Sequence, residues 1–227
     1  ELMATDYGFV IDYSYKDLDI PDSAVRPGIQ FTETMKGYFS ADEKIDFAKG
    51  AAAGKLGDCV FEFTLTVTSD DVLTMLHTTD HAATLEGVVN APALSRRPMT
   101  VSGGIFNLFV NAVAATPTKL MKYTMTIHSE EGRDYFFYGY KLINDDKGFQ
   151  LWKDTSTLYI TIHDGPDEGS PVLGKGILII EAADFAKQMT TMKVLNASSE
   201  LESLKIMTAF GKYFSGSLYD IYIKPHI

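Results

Sequence analysis

Three stretches of this chain alternate apolar and polar residues by twos, and that period constrains the fold more than any other feature. Phe61, Phe63, Leu65 and Val67 are interleaved with Glu62, Thr64 and Thr66. Tyr123, Met125 and Ile127 alternate with Lys122, Thr124, Thr126 and His128, and Leu158, Ile160 and Ile162 with Thr157, Tyr159, Thr161 and His163. A period of two puts one face of a strand in a core and the other in water. Two further segments, 135–143 and 176–180, are apolar at nearly every position and suit strands covered on both sides. The turns between them are short: Glu130-Glu131-Gly132, then 144–148, then 164–169. Parallel strands need crossovers of about a dozen residues or more, and 119–181 offer none. The strands must form antiparallel meanders.

The expected fold is therefore mainly β, an antiparallel barrel or a two-sheet sandwich with two or three short helices and one longer C-terminal helix. Ser69-Asp70-Asp71 before Val72, Leu73, Met75 and Leu76 predicts an N-cap and two turns, and Ala182 to Met189 a second short helix. Ser199 with Glu202 forms a capping box ahead of Leu201, Leu204, Met207 and Phe210 at helical spacing, with Gly211 or Gly216 as the stop. Residues 217–223 then read as a returning strand. Residues 1–28, ending in Arg26-Pro27-Gly28, read as an extended acidic arm, and 29–227 as one domain. A loose echo between about 29–115 and 119–223 leaves an internal duplication open.

With 45% hydrophobic residues among 227, disorder is excluded. A net charge of −10 repels phosphate backbones and anionic surfaces, which argues against nucleic acid. Residues 1–50 hold ten acids against five bases and read as solvated surface rather than a docking face. No apolar run reaches the ~18 residues of a membrane helix. Cys59 is the only cysteine, so no intrachain disulfide or CxxC pair can form; a buried, inert thiol and a cytoplasmic setting follow.

The phosphate-binding GxGxxG between strand and helix, the GxSxG elbow and the GxxxxGK[ST] loop are all missing. His77 and His81, four apart with Asp80 between them, form a candidate metal set if a helix continues through them; helix-end hydrogen bonding is the competing reading. A second cluster gathers Asp145, Asp146, Lys153, Asp154, Thr155, Tyr159 and His163 around Trp152. There His163, with Asp154 or Asp164, is a candidate general base and orienting carboxylate, against strand-end and turn roles. Tyr138, Tyr140, Trp152 and Tyr159 are candidate ligand-binding residues. The aromatics around them, with Phe106, Phe109 and Phe149, line an apolar cavity or fill a packed core.

Several phrases carry a family likeness. Residues 31–37 (Phe-Thr-Glu-Thr-Met-Lys-Gly), Asp80-His81-Ala82 with 85–89, 104–109, Met121-Lys122-Tyr123, 132–135, Gly139-Tyr140-Lys141, 152–159 and 210–214 resemble a run in large cholesterol-oxidase-like proteins of the glucose-methanol-choline oxidoreductase group. In some of these a flavin-dependent part is joined to an α/β-hydrolase part, and the run lies outside both catalytic signatures. The resemblance implies an excised, non-catalytic accessory region. Its parent would use FAD as a sterol or alcohol oxidase, and the piece itself would hold no flavin. It would dock to the parent's catalytic domains or present a sterol or fatty-acyl ligand. The alternative is a self-contained barrel enzyme or lipid-binding protein working from the Trp152–His163 cluster.

Overall fold

A computed structural model of the protein describes residues 26–111, 119–143, 153 and 155–222, with side chains of the last helix as far as Gly211. Among the described residues nine strands occur in chain order: β1 (Gly28–Ser40), β2 (Val60–Ser69), β3 (Ala82–Asn90), β4 (Met99–Asn111), β5 (Lys119–His128), β6 (Asp134–Ile143), β7 (Thr157–His163), β8 (Val172–Ile179) and the short β9 (Lys193–Leu195). Four helices lie wholly within the described residues: α1 (Phe47–Leu56), α2 (Val72–His77), α3 (Ala182–Thr191) and α4 (Glu200–Tyr222). β2 to β8 pair in sequence order, β8 pairs with β1, and β1 returns to β2, so eight antiparallel strands close into a barrel. Closure removes the open edges that would otherwise invite aggregation.

The alternation sets which side chains enter the barrel. Phe61, Phe63, Leu65 and Val67 of β2, Tyr123, Met125 and Ile127 of β5, and Leu158, Ile160 and Ile162 of β7 are all buried. Their polar neighbours form the outer wall. Aromatic rings from different strands meet in the interior: Phe63 and Phe137 at 6.0 Å edge to face, Phe61 and Phe137 at 5.7 Å, Phe106 and Tyr123 at 5.0 Å. An eight-stranded barrel is just wide enough for side chains to fill. The aromatic load around Phe106, Tyr135 and Phe137 is packed core.

The junction between β1 and β8 is uneven. Rungs join them only over Lys36–Ser40, while Gly28–Gln30 pair with β9 instead. Between the two lies Thr32. Its N–H donates to the Thr191 hydroxyl at 2.8 Å, and that hydroxyl shares its own proton between the carbonyls of Gln188, at 2.7 Å, and Thr32, at 3.3 Å. One side chain at the end of α3 thus stands in for a missing rung, since a buried backbone N–H must find a partner.

Helix α2 begins where its aspartates predict, with the Asp71 carboxylate accepting from Thr74 N–H at 3.0 Å. At α4 the Ser199 hydroxyl accepts from Glu202 N–H, while the Glu202 carboxylate reaches back to Ser198 rather than to Ser199. Ile206 and Phe210 of α4 are buried, Phe210 lying 6.2 Å from Phe31. The predicted end of this helix at Gly211 or Gly216 and the returning strand after it are corrected: the helix runs on to Tyr222. A glycine inside a helix costs only about 1 kcal/mol, too little to stop one whose buried face already anchors it. Cys59 is also corrected. It sits between α1 and β2, part-exposed, its thiol donating to Gly57 O at 3.5 Å, because the alternation of β2 begins only after it. The expected arm falls largely on residues 1–25, outside the described residues.

Candidate functional site

Three polar constellations stand out against the apolar barrel, one inside it and two on its wall. Inside, Glu33 of β1 occupies an inward position between Phe31 and Met35 and is 2% exposed. β1 and β5 lie on opposite sides of the ring, so the Glu33 carboxylate crosses the interior. There one oxygen accepts from Tyr123 Oη at 2.9 Å and the other from Lys141 Nζ of β6 at 2.6 Å. Lys141 is itself buried, its ammonium 5.4 Å from the centre of the Tyr123 ring. Burial first, and then the Glu33 charge and hydrogen bond, push the Tyr123 phenol well above its ordinary value, so it stays a proton donor. Every polar end finds a partner, as buried charges require.

The second constellation gathers three of the four predicted ligand-binding residues. Tyr138, Tyr140 and Tyr159 occupy the outward positions of β6 and β7 and lie half-buried on the barrel wall. Tyr140 and Tyr159 stack at 5.5 Å, Tyr138 follows at 5.9 Å, and Phe47 of α1 meets Tyr159 at 5.5 Å and Tyr140 at 5.8 Å. A lysine caps each end: Lys122 lies 5.8 Å from the Tyr138 ring centre and Lys175 lies 4.2 Å from that of Phe47. Burial raises the Tyr138 and Tyr140 phenols above their usual value, so both are neutral. The fourth residue, Trp152, lies outside the described residues, as do Phe149, Asp145, Asp146 and Asp154.

The third constellation was not foreseen. Ser102 Oγ of β4 lies 2.6 Å from His128 Nε2 of β5, and His128 Nδ1 lies 2.7 Å from Asp134 Oδ1 of β6. The hairpin turn at 129–133 sets His128 and Asp134 opposite one another in register. Ser102 reaches the ring diagonally, since its own register partner is Thr126.

No family model, curated protein or solved structure matches the chain. None of these comparisons links the chain to cholesterol-oxidase-like proteins.

The remaining predicted residues have local roles. His163, buried, donates from Nδ1 to Ser170 O at 2.7 Å and packs edge to face on Phe136 at 5.6 Å. Asp164 accepts from the Arg133 guanidinium at 2.8 Å. His77 and His81 each give Nδ1–H to a carbonyl, of Leu73 at 2.8 Å and Met75 at 3.0 Å, and Asp80 O accepts from Asn107 at 2.9 Å. The helix ends at His77, and His81 has a left-handed φ of 41°, so the two rings do not share a helical face. Among the described residues no group of three or more His, Cys, Asp or Glu side chains could hold a metal, and no helix is long and apolar enough to cross a membrane.

His81 gives a pH test. Desolvation, opposed by its bond to Met75 and by Asp80, holds the imidazole below its ordinary 6.5. The unfolded chain takes up that proton near pH 6.5 and the folded chain only below it, so protonation favours unfolding. Stability should be full above about pH 6.5 and fall as pH drops towards the folded value. Asparagine accepts a left-handed backbone, so His81→Asn should flatten the urea-midpoint profile between about pH 7.5 and pH 5. Parallel profiles for the two proteins would refute the assignment.

Proposed function

We propose that the chain is an accessory β-barrel of a larger cholesterol-oxidase-like flavoenzyme, docked onto the catalytic part of that protein through the band of Tyr138, Tyr140, Tyr159 and Phe47. The observation that carries this reading is where the aromatic residues stand. Those facing inward are spent filling the barrel, whereas these four form a continuous half-exposed surface on its wall. Tyrosine rings offer large, rigid contact area with a polar tip, which is why interfaces concentrate them. Lys122 and Lys175 at the two ends favour a partner surface bearing carboxylates. The filled interior favours docking over presentation of a sterol or acyl chain from the barrel lumen. FAD would belong to the parent's redox part. A cytoplasmic setting accords with a single, part-exposed free thiol.

The coding sequence around this segment should carry a GxGxxG flavin motif. In the whole protein, a zero-length carboxylate–amine cross-linker should join Lys122 or Lys175 to acidic residues of the flavin part. Tyr140→Ser with Tyr159→Ser should cut that yield about tenfold, the effect of losing about 1.4 kcal/mol at an interface hot spot. Absence of a flavin region from the flanking sequence, or lysines that cross-link to no catalytic residue, would remove this reading.

A further inference from the structure

We infer that Ser102 is an activated nucleophile that cleaves short aliphatic acyl esters, with His128 as its base and Asp134 as the orienting carboxylate. An activity of its own is more than a docking module would have, and the inference does not depend on that docking. A carboxylate only accepts, so His128 Nδ1–H donates to Asp134 Oδ1 at 2.7 Å. In the neutral imidazole that leaves Nε2 with its lone pair, and Ser102 Oγ–H, 2.6 Å away, donates to it. Nucleophile, base and orienter thus follow one another within hydrogen-bond reach, which is the arrangement acyl transfer needs.

A cross-strand polar staple would explain these two hydrogen bonds alone, but it does not explain what surrounds Ser102. The register of β4 against β5 breaks between Ser102 and Ile105, and on the other side β3 pairs with Thr100 and Gly104. Gly103, immediately after the serine, is thus in neither ladder, and its φ is +57°. A bulge of this kind re-aims a side chain, and the amide after the nucleophile is a usual oxyanion donor. Space above Gly103 is open, since a Cβ placed there would meet nothing within 4 Å. Val88, partner of Thr100, is 39% exposed, and Ile105 is 46% exposed, two solvent-facing aliphatics flanking the bulge and suited to a short acyl chain. The three catalytic side chains are accessible as well, those of His128 and Asp134 being 38% and 44% exposed.

The chemistry balances without a cofactor. Ser102 Oγ attacks the ester carbonyl carbon while its proton moves to His128 Nε2 and the carbonyl electron pair moves onto oxygen beside the Gly103 amide. Collapse breaks the carbon–alkoxy bond, and the leaving alkoxide takes the proton from Nε2, giving alcohol and acyl-Ser102. Water then attacks through the same relay, releasing the carboxylic acid and restoring the serine. The net reaction is ester plus water to acid plus alcohol.

The test treats the full chain with a fluorophosphonate and with p-nitrophenyl butyrate. Intact-mass and peptide analysis should find one phosphonate adduct, on Ser102, and ester turnover above buffer. Ser102→Ala should abolish both. His128→Gln should lower them about a hundredfold or more, the usual worth of a positioned base, with a thermal melt showing that the variant is folded. Asp134→Asn should lower them while shifting the pH profile, which a purely structural carboxylate would not do. A wild-type chain that takes no adduct, or adduct formation and turnover unchanged in Ser102→Ala, would overturn the inference.

Discussion

Replacing Glu33 by glutamine is expected to lower the unfolding free energy by about 3–5 kcal/mol, since it strands the Lys141 ammonium inside the barrel without a counter-charge. The size follows from the asymmetry of buried ion pairs. Forming one roughly balances desolvation against attraction, whereas removing one partner leaves the whole desolvation cost of the other. The double change Glu33→Leu with Lys141→Met should therefore recover most of the loss. Tyr123→Phe, which removes only the bond to one Glu33 oxygen, should cost about 1.5–3 kcal/mol. Urea unfolding followed by far-ultraviolet circular dichroism would measure all three. A loss below about 1 kcal/mol for Glu33→Gln would mean that water reaches the pair in solution.

The second large effect is expected at the contact between α1 and the barrel. Gly50 and Gly54, one helical turn apart, let the helix backbone rest directly on the strands. A Cβ at Gly54 would sit 2.2 Å from Phe39 O, and one at Gly50 would sit 2.2 Å from Lys175 O. Both obstructing atoms are backbone, so no rotamer change relieves them. Alanine ordinarily gains about 1 kcal/mol over glycine in a helix, but overpacking against backbone costs up to about 3 kcal/mol or more. Gly54→Ala should thus destabilise by about 2 kcal/mol net, and the double change should lift α1 and separate Phe47 from Tyr140 and Tyr159. Gly57→Ala is the control. Its Cβ would come no closer than 3.4 Å, to Cys59 Sγ, and its urea midpoint should stay near that of the parent protein. Equal midpoints for Gly54→Ala and Gly57→Ala would refute the argument.

Much of the barrel was legible because its core obeys one simple rule. Phe61 to Val67, Tyr123 to Ile127 and Leu158 to Ile162 alternate, and each set lies in the interior. Helix α1 was not legible: Phe47–Leu56 is mostly alanine, lysine and glycine with scarcely any apolar stripe, and it is held by backbone proximity, which periodicity does not report. Its one local signal was Asp46, whose carboxylate accepts from Ala48 and Lys49 N–H. The internal charges were readable in principle. Counting by twos from Phe31 to Met35 puts Glu33 inside, and counting from Tyr135 and Phe137 puts Lys141 inside, opposite charges on inward positions of two strands. His128 and Asp134 could have been paired across the Glu130-Glu131-Gly132 turn. Ser102 could not, because it meets His128 through a register shifted by the β4 bulge, which no local pattern announces. Tyr138, Tyr140 and Tyr159, candidate ligand-binding residues in the sequence, stand side by side, and their parity places them on the wall rather than around a lumen.

The Thr32–Thr191 junction has one more consequence. The β1–β8 seam has no rung beside Glu33, the residue immediately after Thr32, so a transient parting of that seam would admit water to the salt link. Fastener and charge sit side by side, and any breathing that loosens the first would hydrate the second before the rest of the wall gives way.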